Sequence, residues 1–321
     1  MMQSRWTWMC CALLAVAAAA HAQLPDAKPV PAMQVLPLPY GQASFTWLGR
    51  EITRYHFSPS LKRPFWYPIR LPGGRSLTRI GHPHDPHGHR HHDSVWVSHM
   101  KIDGISFWEN DNDQRIVCAR VYEYGDSDEA AWMVSENRWM AGDRLVLREL
   151  RRCEVRPTGD DHWLMIIDLE FKTPGDNPVT LDQSFFGLIG VRMAKTIGVR
   201  DGGGRILNAE GLINEKAVFR QPTRWVDYSG PIAPGEQGDV AAGISLMDHP
   251  SNPNFPAKFH VRNDGWMGVC TTGKDAITVE PGKPRHFRYG LWVHPGAPDG
   301  EAINAMWKMF SEQPAASLTW K

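Results

Sequence analysis

From Ala43 onward the chain alternates short β-favouring hydrophobic runs with turn signals. SFTWLG (44–49) and EITRYHF (51–57) precede the turn formers Pro72-Gly73-Gly74, and SVWVSHMKI (94–102) leads into Asp103-Gly104. RIVCARVYEY (115–124), AWMVSENRWM (131–140), LVLRELRRCEV (145–155) and HWLMIIDLEFKT (162–173) follow, separated by Gly-Asp, Ala-Gly-Asp and Thr-Gly-Asp-Asp. Strand-like runs about ten residues apart predict an all-β fold, a large antiparallel sandwich. One helix is expected, near the end, where Asp299 caps a stretch whose Ile303, Met306, Trp307 and Phe310 share a face. No repeat or long linker divides the chain, so residues 43–321 are read as one domain.

Before that pattern begins, the text differs. MMQSRWTWMCCALLAVAAAAHAQ has a basic residue at Arg5, an apolar run from Trp6 to Ala20 and the small-residue site Ala20-His21-Ala22. This reads as a secretory signal peptide over residues 1–22, with Gln23 the new N-terminus and a periplasmic or secreted location expected. Cys10 and Cys11 lie inside the apolar run, not after it, which argues against lipoprotein processing. The Pro- and Ala-rich residues 23–42 read as an extended leader.

Charge narrows the partners. Thirty-five basic residues balance 35 acidic ones, which argues against broad attraction to nucleic acid or membrane surfaces. Charges interrupt every later apolar run, so no membrane span is expected. A small-molecule ligand fits better. Cys118, Cys153 and Cys270 allow at most one internal disulfide, with Cys118–Cys153 and buried free thiols as the alternatives. Fourteen tryptophans favour a carbohydrate ligand, since indole faces stack on sugar rings.

Half of the 14 histidines fall between positions 82 and 99, in HPHDPHGHRHHDSVWVSH. No packing argument asks for that. The loop histidines His89, His91 and His92 precede a strand in which Val95, Val97 and His99 point one way and Trp96 and Ser98 the other. Imidazole offers acid–base chemistry, metal ligation and hydrogen bonds to hydroxyls. His89, His91, His92 and His99 are therefore candidate catalytic residues. His89, His91 and His92 are also the candidate ligands if a divalent metal is used, although neither HExxH nor CxxC is present; no cofactor is otherwise implied. His82, His84 and His87 belong by proximity alone.

A second group stands at strand ends or beside turns. Asp227 and Tyr228 (WVDYSG) are candidate catalytic partners of a histidine. Arg63, Arg192, His249, Asn252, His260, Arg262 and His294 are candidate substrate-binding residues. Any one of them alone is as well explained as a satisfied edge residue; their value is collective.

From Phe45 to Pro295 the sequence resembles the PmoA-like bacterial proteins, labelled methane oxygenase. The carriers are RPFWYPIRLPGG (63–74), HRHHDSVWVSH (89–99), DGISFWEN (103–110), WVDYSG (225–230), DHPSNP (248–253), FHVRNDG (259–265) and YGLWVHPG (289–296). The family's usual Asp-His-Pro-His-His-Arg-Gly places its histidines on His89, His91 and His92. Here Gly88 replaces the leading acid, Asp93 the arginine and Ser94 the glycine, which puts the roles of those flanks in doubt. The label conflicts with the hydropathy, because a membrane oxygenase subunit needs several spans. What the resemblance implies is a galactose mutarotase-type sandwich and sugar chemistry.

Three functions follow as expectations: an acid–base enzyme hydrolysing, eliminating or epimerising a glycoside or oxidised sugar; a non-catalytic periplasmic sugar-binding module; and a metal-dependent oxidoreductase, as the label suggests.

Overall fold

A computed structural model of the protein describes residues 29–81, 89–232 and 241–320. Residues 1–22, read as a signal peptide, residues 23–28 of the stretch read as a leader, and His82, His84 and His87 lie outside the described residues, which begin at Pro29. Pro31–Lys321 forms one compact unit; of Met1–Val30 only Pro29 and Val30 are described.

The strands in chain order are β1 (Met33–Leu38), β2 (Gln42–Trp47), β3 (Arg50–His56), β4 (Phe65–Ile69), β5 (Val95–His99) and β6 (Gln114–Asp126). Next come β7 (Ala131–Ala141), β8 (Arg144–Pro157), β9 (Trp163–Lys172), β10 (Val179–Leu181), β11 (Gly187–Arg192) and β12 (Arg205–Asn208). The last six are β13 (Trp225–Pro231), β14 (Ala241–Asp248), β15 (Lys258–Arg262), β16 (Trp266–Cys270), β17 (Ile277–Val279) and β18 (Arg285–Pro295).

The first sheet runs β1-β2-β3-β4-β5-β11-β16-β15 and the second β12-β13-β14-β18-β9-β8-β7-β6, each of 8 described strands; β10 and β17 form a small pair. All these pairings are antiparallel. The expected sandwich is the observed architecture. Its core joins Phe45, Tyr55, Trp66, Val95, Val97 and Ile189 of the first sheet to Met165, Ile167, Leu169, Ile244, Leu246 and Leu291 of the second. Burying these apolar side chains supplies the main driving force for the fold.

Three details depart from expectation or refine it. The first strand, β1, falls within residues 23–42, because Met33 and Val35 alternate inward and pair with Trp47 and Phe45. Cys118 and Cys153 sit on β6 and β8 with β7 between them, so they are free thiols and not neighbours. Two strand spacings, about 10 Å, exceed the reach of a disulfide. The C-terminal helix, Gly300–Glu312, is as expected: the Asp299 side chain accepts a hydrogen bond from the Ala302 N–H at 2.9 Å. Ile303 and Phe310 bury against Leu164, Ile166, Trp225 and Trp292 on the outer face of the second sheet. That cover explains why Trp163–Ile167 reads as an unbroken apolar run: β9 is buried on both faces.

Candidate functional site

The site grows from the outer face of the first sheet. Alternation in β5 sends Val95 and Val97 into the core and Trp96 outward, where it clusters with Phe65, Trp108 and Trp266. The strands between leave room for the indoles because they carry glycine. Gly190 of β11 pairs with Trp96 on one side and Gly268 on the other, and a Cβ at Gly190 would stand 2.8 Å from both the Trp96 and Trp266 rings. The result is an indole floor, with Trp96 and Trp266 centroids 5.3 Å apart.

The histidine loop lies on this floor. The His92 ring stacks on Trp96 at 5.3 Å and Trp266 at 4.9 Å, with His89 stacked above it at 4.7 Å and His91 edge-on at 4.5 Å. Arg63 holds the loop in place. Its buried guanidinium donates to Asp93 at 2.8 Å, to the His91 carbonyl at 3.0 Å, to the Trp108 carbonyl at 2.7 Å and to Asn110 at 3.0 Å. Asp93, where the resembled pattern has arginine, is thus the loop's anchor. Gly81 closes the other side: its N–H donates to the His92 carbonyl at 2.7 Å, and a Cβ there would lie 2.1 Å from the His89 carbonyl oxygen.

Charged groups converge around the three imidazoles in a cavity of about 490 Å³. His89 Nδ1 is 3.3 Å from Arg192 Nη2 and 3.7 Å from Asp264. Arg192, 1% exposed, donates to both Asp264 oxygens at 2.8 and 3.3 Å. Asp264 rides the Asn263-Asp264-Gly265 turn between β15 and β16, where Gly265 has φ +95°. His91 Nδ1 stands 3.6 Å from Glu109. Arg262 donates to Glu215 at 2.8 Å, and His260 packs between Phe186 and Phe219 with Nδ1 3.3 Å from the Phe185 carbonyl.

Electrostatics set the protonation. Burial, with Arg63 and His89 nearby, lowers His91 to about 4. Burial next to His91 and Arg192 drives His92 well below the ordinary histidine value, and burial lowers His260 to about 4. Burial opposes ionisation of Asp264, yet the hydrogen bonds and charge of Arg192 hold its carboxyl below the usual range. His91, His92 and His260 are therefore neutral, and Asp264 ionised, at neutral pH.

Of the residues singled out from sequence, His89, His91, His92, His260 and Arg262 line this cavity, and Arg192 braces it from behind. Arg63 anchors the loop with its guanidinium spent on protein acceptors. His99 is elsewhere: the alternation that turns Trp96 outward turns His99 inward, where Nε2 meets Thr272 at 2.8 Å and Nδ1 accepts from the Lys101 N–H. Tyr228 points into the core, and its hydroxyl accepts from the Val199 and Gly265 N–H groups, so it supports the Asp264 turn without reaching the cavity. Asp227, on the opposite face of β13, is buried with His294 and Ser245 at 2.8 Å each. His249 and Asn252 also belong to the second sheet's side. His249 bonds Ser251 and abuts Phe310, and Asn252 clamps Asp248 to the Arg288 backbone.

Glu109, Trp108, Asp264 and Trp266 line the cavity without having been singled out. Three of the four lie in the quoted motifs DGISFWEN and FHVRNDG, and Trp266 directly follows the second. Asp264 was masked by its place in a turn signal. Arg200 and Glu215 line it too, from the short helices Val199–Gly202 and Asn214–Val218, and carry no sequence signal. As for the metal candidates, no three His, Cys, Asp or Glu side chains among the described residues are grouped to hold a metal ion. His89 and His92 stack with planes 10° apart, presenting ring faces and not converging nitrogens.

The chain belongs to a family of unknown function, DUF6807, whose model matches residues 42–308. No curated protein matches it. Among solved structures it is similar to a heparinase III gene product at 13% identity and TM-score 0.37, over 84% of this chain and 37% of that one. It is also similar to a 4-alpha-glucanotransferase from Thermococcus litoralis at 9% identity and TM-score 0.26, over 83% of this chain and 40% of that one. The chain thus spans well under half the length of either.

Proposed function

We propose that the histidine cavity is the active site of a secreted or periplasmic carbohydrate-acting enzyme that abstracts a proton from an oxidised sugar, leading to elimination or epimerisation. The observation that carries this reading is the neutral His91 facing the Glu109 carboxylate across 3.6 Å, within a polar cavity over indole rings. A carboxylate on the Nδ1 side favours the tautomer protonated there and leaves Nε2 as proton acceptor; it then stabilises the imidazolium that forms. Arg200, and Arg262 to the extent that its pairing with Glu215 leaves it free, supply cations for the oxyanion that develops when a proton leaves carbon beside a carbonyl.

Paired-carboxylate hydrolysis fits less well. Asp264 is spent on Arg192, and Glu215 on Arg262 and the Asn263 N–H. Among the described residues lining the cavity, that leaves Glu109 without a second uncommitted acid. The resemblance to PmoA-like proteins supports the sugar part of the reading.

The test is a screen of purified protein against oxidised and unmodified disaccharides with products read by mass spectrometry. On a substrate that is turned over, His91→Ala and Glu109→Gln should each lower kcat by about 100-fold or more. Tm should barely move, since Glu109 is half-exposed and His91 borders the cavity. Wild-type rates in both variants would defeat the assignment. A second reading, a binding module without turnover, is favoured by the low basicity of these imidazoles, which suits them to accept hydrogen bonds from hydroxyls. Saturable binding with no product would select it.

A further inference from the structure

A second cavity, of about 770 Å³, opens on the same outer face of the first sheet. In β3 and β4, Tyr55 and Trp66 face the core, while Arg54, His56 and Tyr67 face outward. Arg54, Arg70, Arg75 and Lys195 line this hollow around one carboxylate, Glu51. That carboxylate is already shared, accepting from Ser44 Oγ at 2.6 Å, Arg54 Nε at 2.9 Å and Arg70 Nη2 at 3.2 Å. Arg75 and Lys195 are exposed and make no ion pair among the described residues. In a chain with 35 charges of each sign, four cations against one acid is a local excess that attracts anions.

The hollow and the histidine cavity border one buried aromatic cluster. His56 stacks on Phe65 at 4.9 Å, and Phe65 belongs to the cluster of Trp96, Trp108 and Trp266 that floors the first cavity. Tyr67, which lines the hollow, packs on the same cluster. From β3 to β16 is four strand spacings, about 19 Å. A ligand that reaches from the histidine cavity across the hollow to its β3 side is therefore an oligosaccharide, with Lys195, three residues beyond Arg192, at the nearer edge.

We propose that this hollow is an anion subsite and that the ligand of the histidine cavity is an acidic oligosaccharide. One sugar occupies the histidine cavity, and a carboxylate or sulfate farther along the chain meets Arg75 and Lys195. The proposal rests on the carbohydrate reading of the histidine cavity and adds the ligand's charge and length.

Calorimetric titration of the full chain with oligogalacturonate, sulfated dextran oligomers and neutral dextran oligomers of matched length tests it; the first two separate carboxylate from sulfate. At least one acidic oligomer should bind about tenfold or more tighter than the neutral one, and added salt should weaken it. The double variant Arg75→Glu, Lys195→Glu should lose that preference, and the neutralising pair Arg75→Gln, Lys195→Gln should lose part of it with Tm unchanged. No preference for acidic oligomers, or a preference that survives charge reversal, overturns the proposal. Acidic binding that depends on Arg75 and Lys195 but never leads to turnover would defeat the proton-transfer reading and leave the subsite standing. Turnover of neutral sugars without sensitivity to charge reversal would do the reverse.

Discussion

His91 and His99 are both pushed down to about 4, chiefly by burial, yet they play opposite parts. His99 has both ring nitrogens occupied, by Thr272 and the Lys101 N–H, whereas His91 faces a carboxylate across a cavity. Because the neutral form of His91 persists to about pH 4, activity that needs it as a base should hold through pH 5 and fall below that. The pH profile of kcat/KM should show its acid limb near 4; a limb near 6.5 would assign the base to a group with an ordinary imidazole value. The crowding of His89, His91 and His92 was legible in the sequence because seven histidines in eighteen positions exceed what packing asks of a loop. His99 was misassigned because its partner, Thr272, lies 173 positions away. Asp264 went unread because Asn-Asp-Gly announces a turn before it announces a charge.

The C-terminal helix was legible because a capped apolar stripe lies opposite a face that meets water, and the strand around Trp96, buried on both faces, because turn signals bound it. β1 is hidden because proline and alanine around it mimic a linker, and the first half of the covered strand β9, Trp163–Ile167, shows no alternation. Gly190 inverts the usual logic of strand composition. A β-branched residue would suit β11 by propensity, but its Cβ would press into the Trp96 and Trp266 rings. Gly190→Val should therefore destabilise the protein by about 1–3 kcal/mol and weaken any ligand that stacks on the floor. Urea denaturation checks the first effect; unchanged stability would mean the indoles can reseat freely.

Across the whole molecule, the sandwich confines chemistry to one outer face. The C-terminal helix covers the part of the second sheet's outer face around Trp225 and Trp292, and on that side of the molecule Asp227, His249 and His294 are buried structural partners. The buried imidazoles also tie stability to acidity. His99 has a folded-state value near 4 and an unfolded value of 6.5, so the unfolded chain binds its proton first. Its contribution is complete above pH 6.5 and is lost as pH falls toward 4, at up to about 1.4 kcal/mol per pH unit. The stability gap between wild type and His99→Gln should accordingly shrink between pH 7 and pH 4.5; a constant gap would show that His99 is protonated freely in the fold. The indole floor has one more consequence. Trp96, Trp108 and Trp266 sit within 5.6 Å of one another and two of them touch the His92 ring. Excitation energy shared among them is exposed to whatever enters the cavity, so the protein's own emission spectrum serves as an unlabelled reporter of occupancy, readable before any substrate is known.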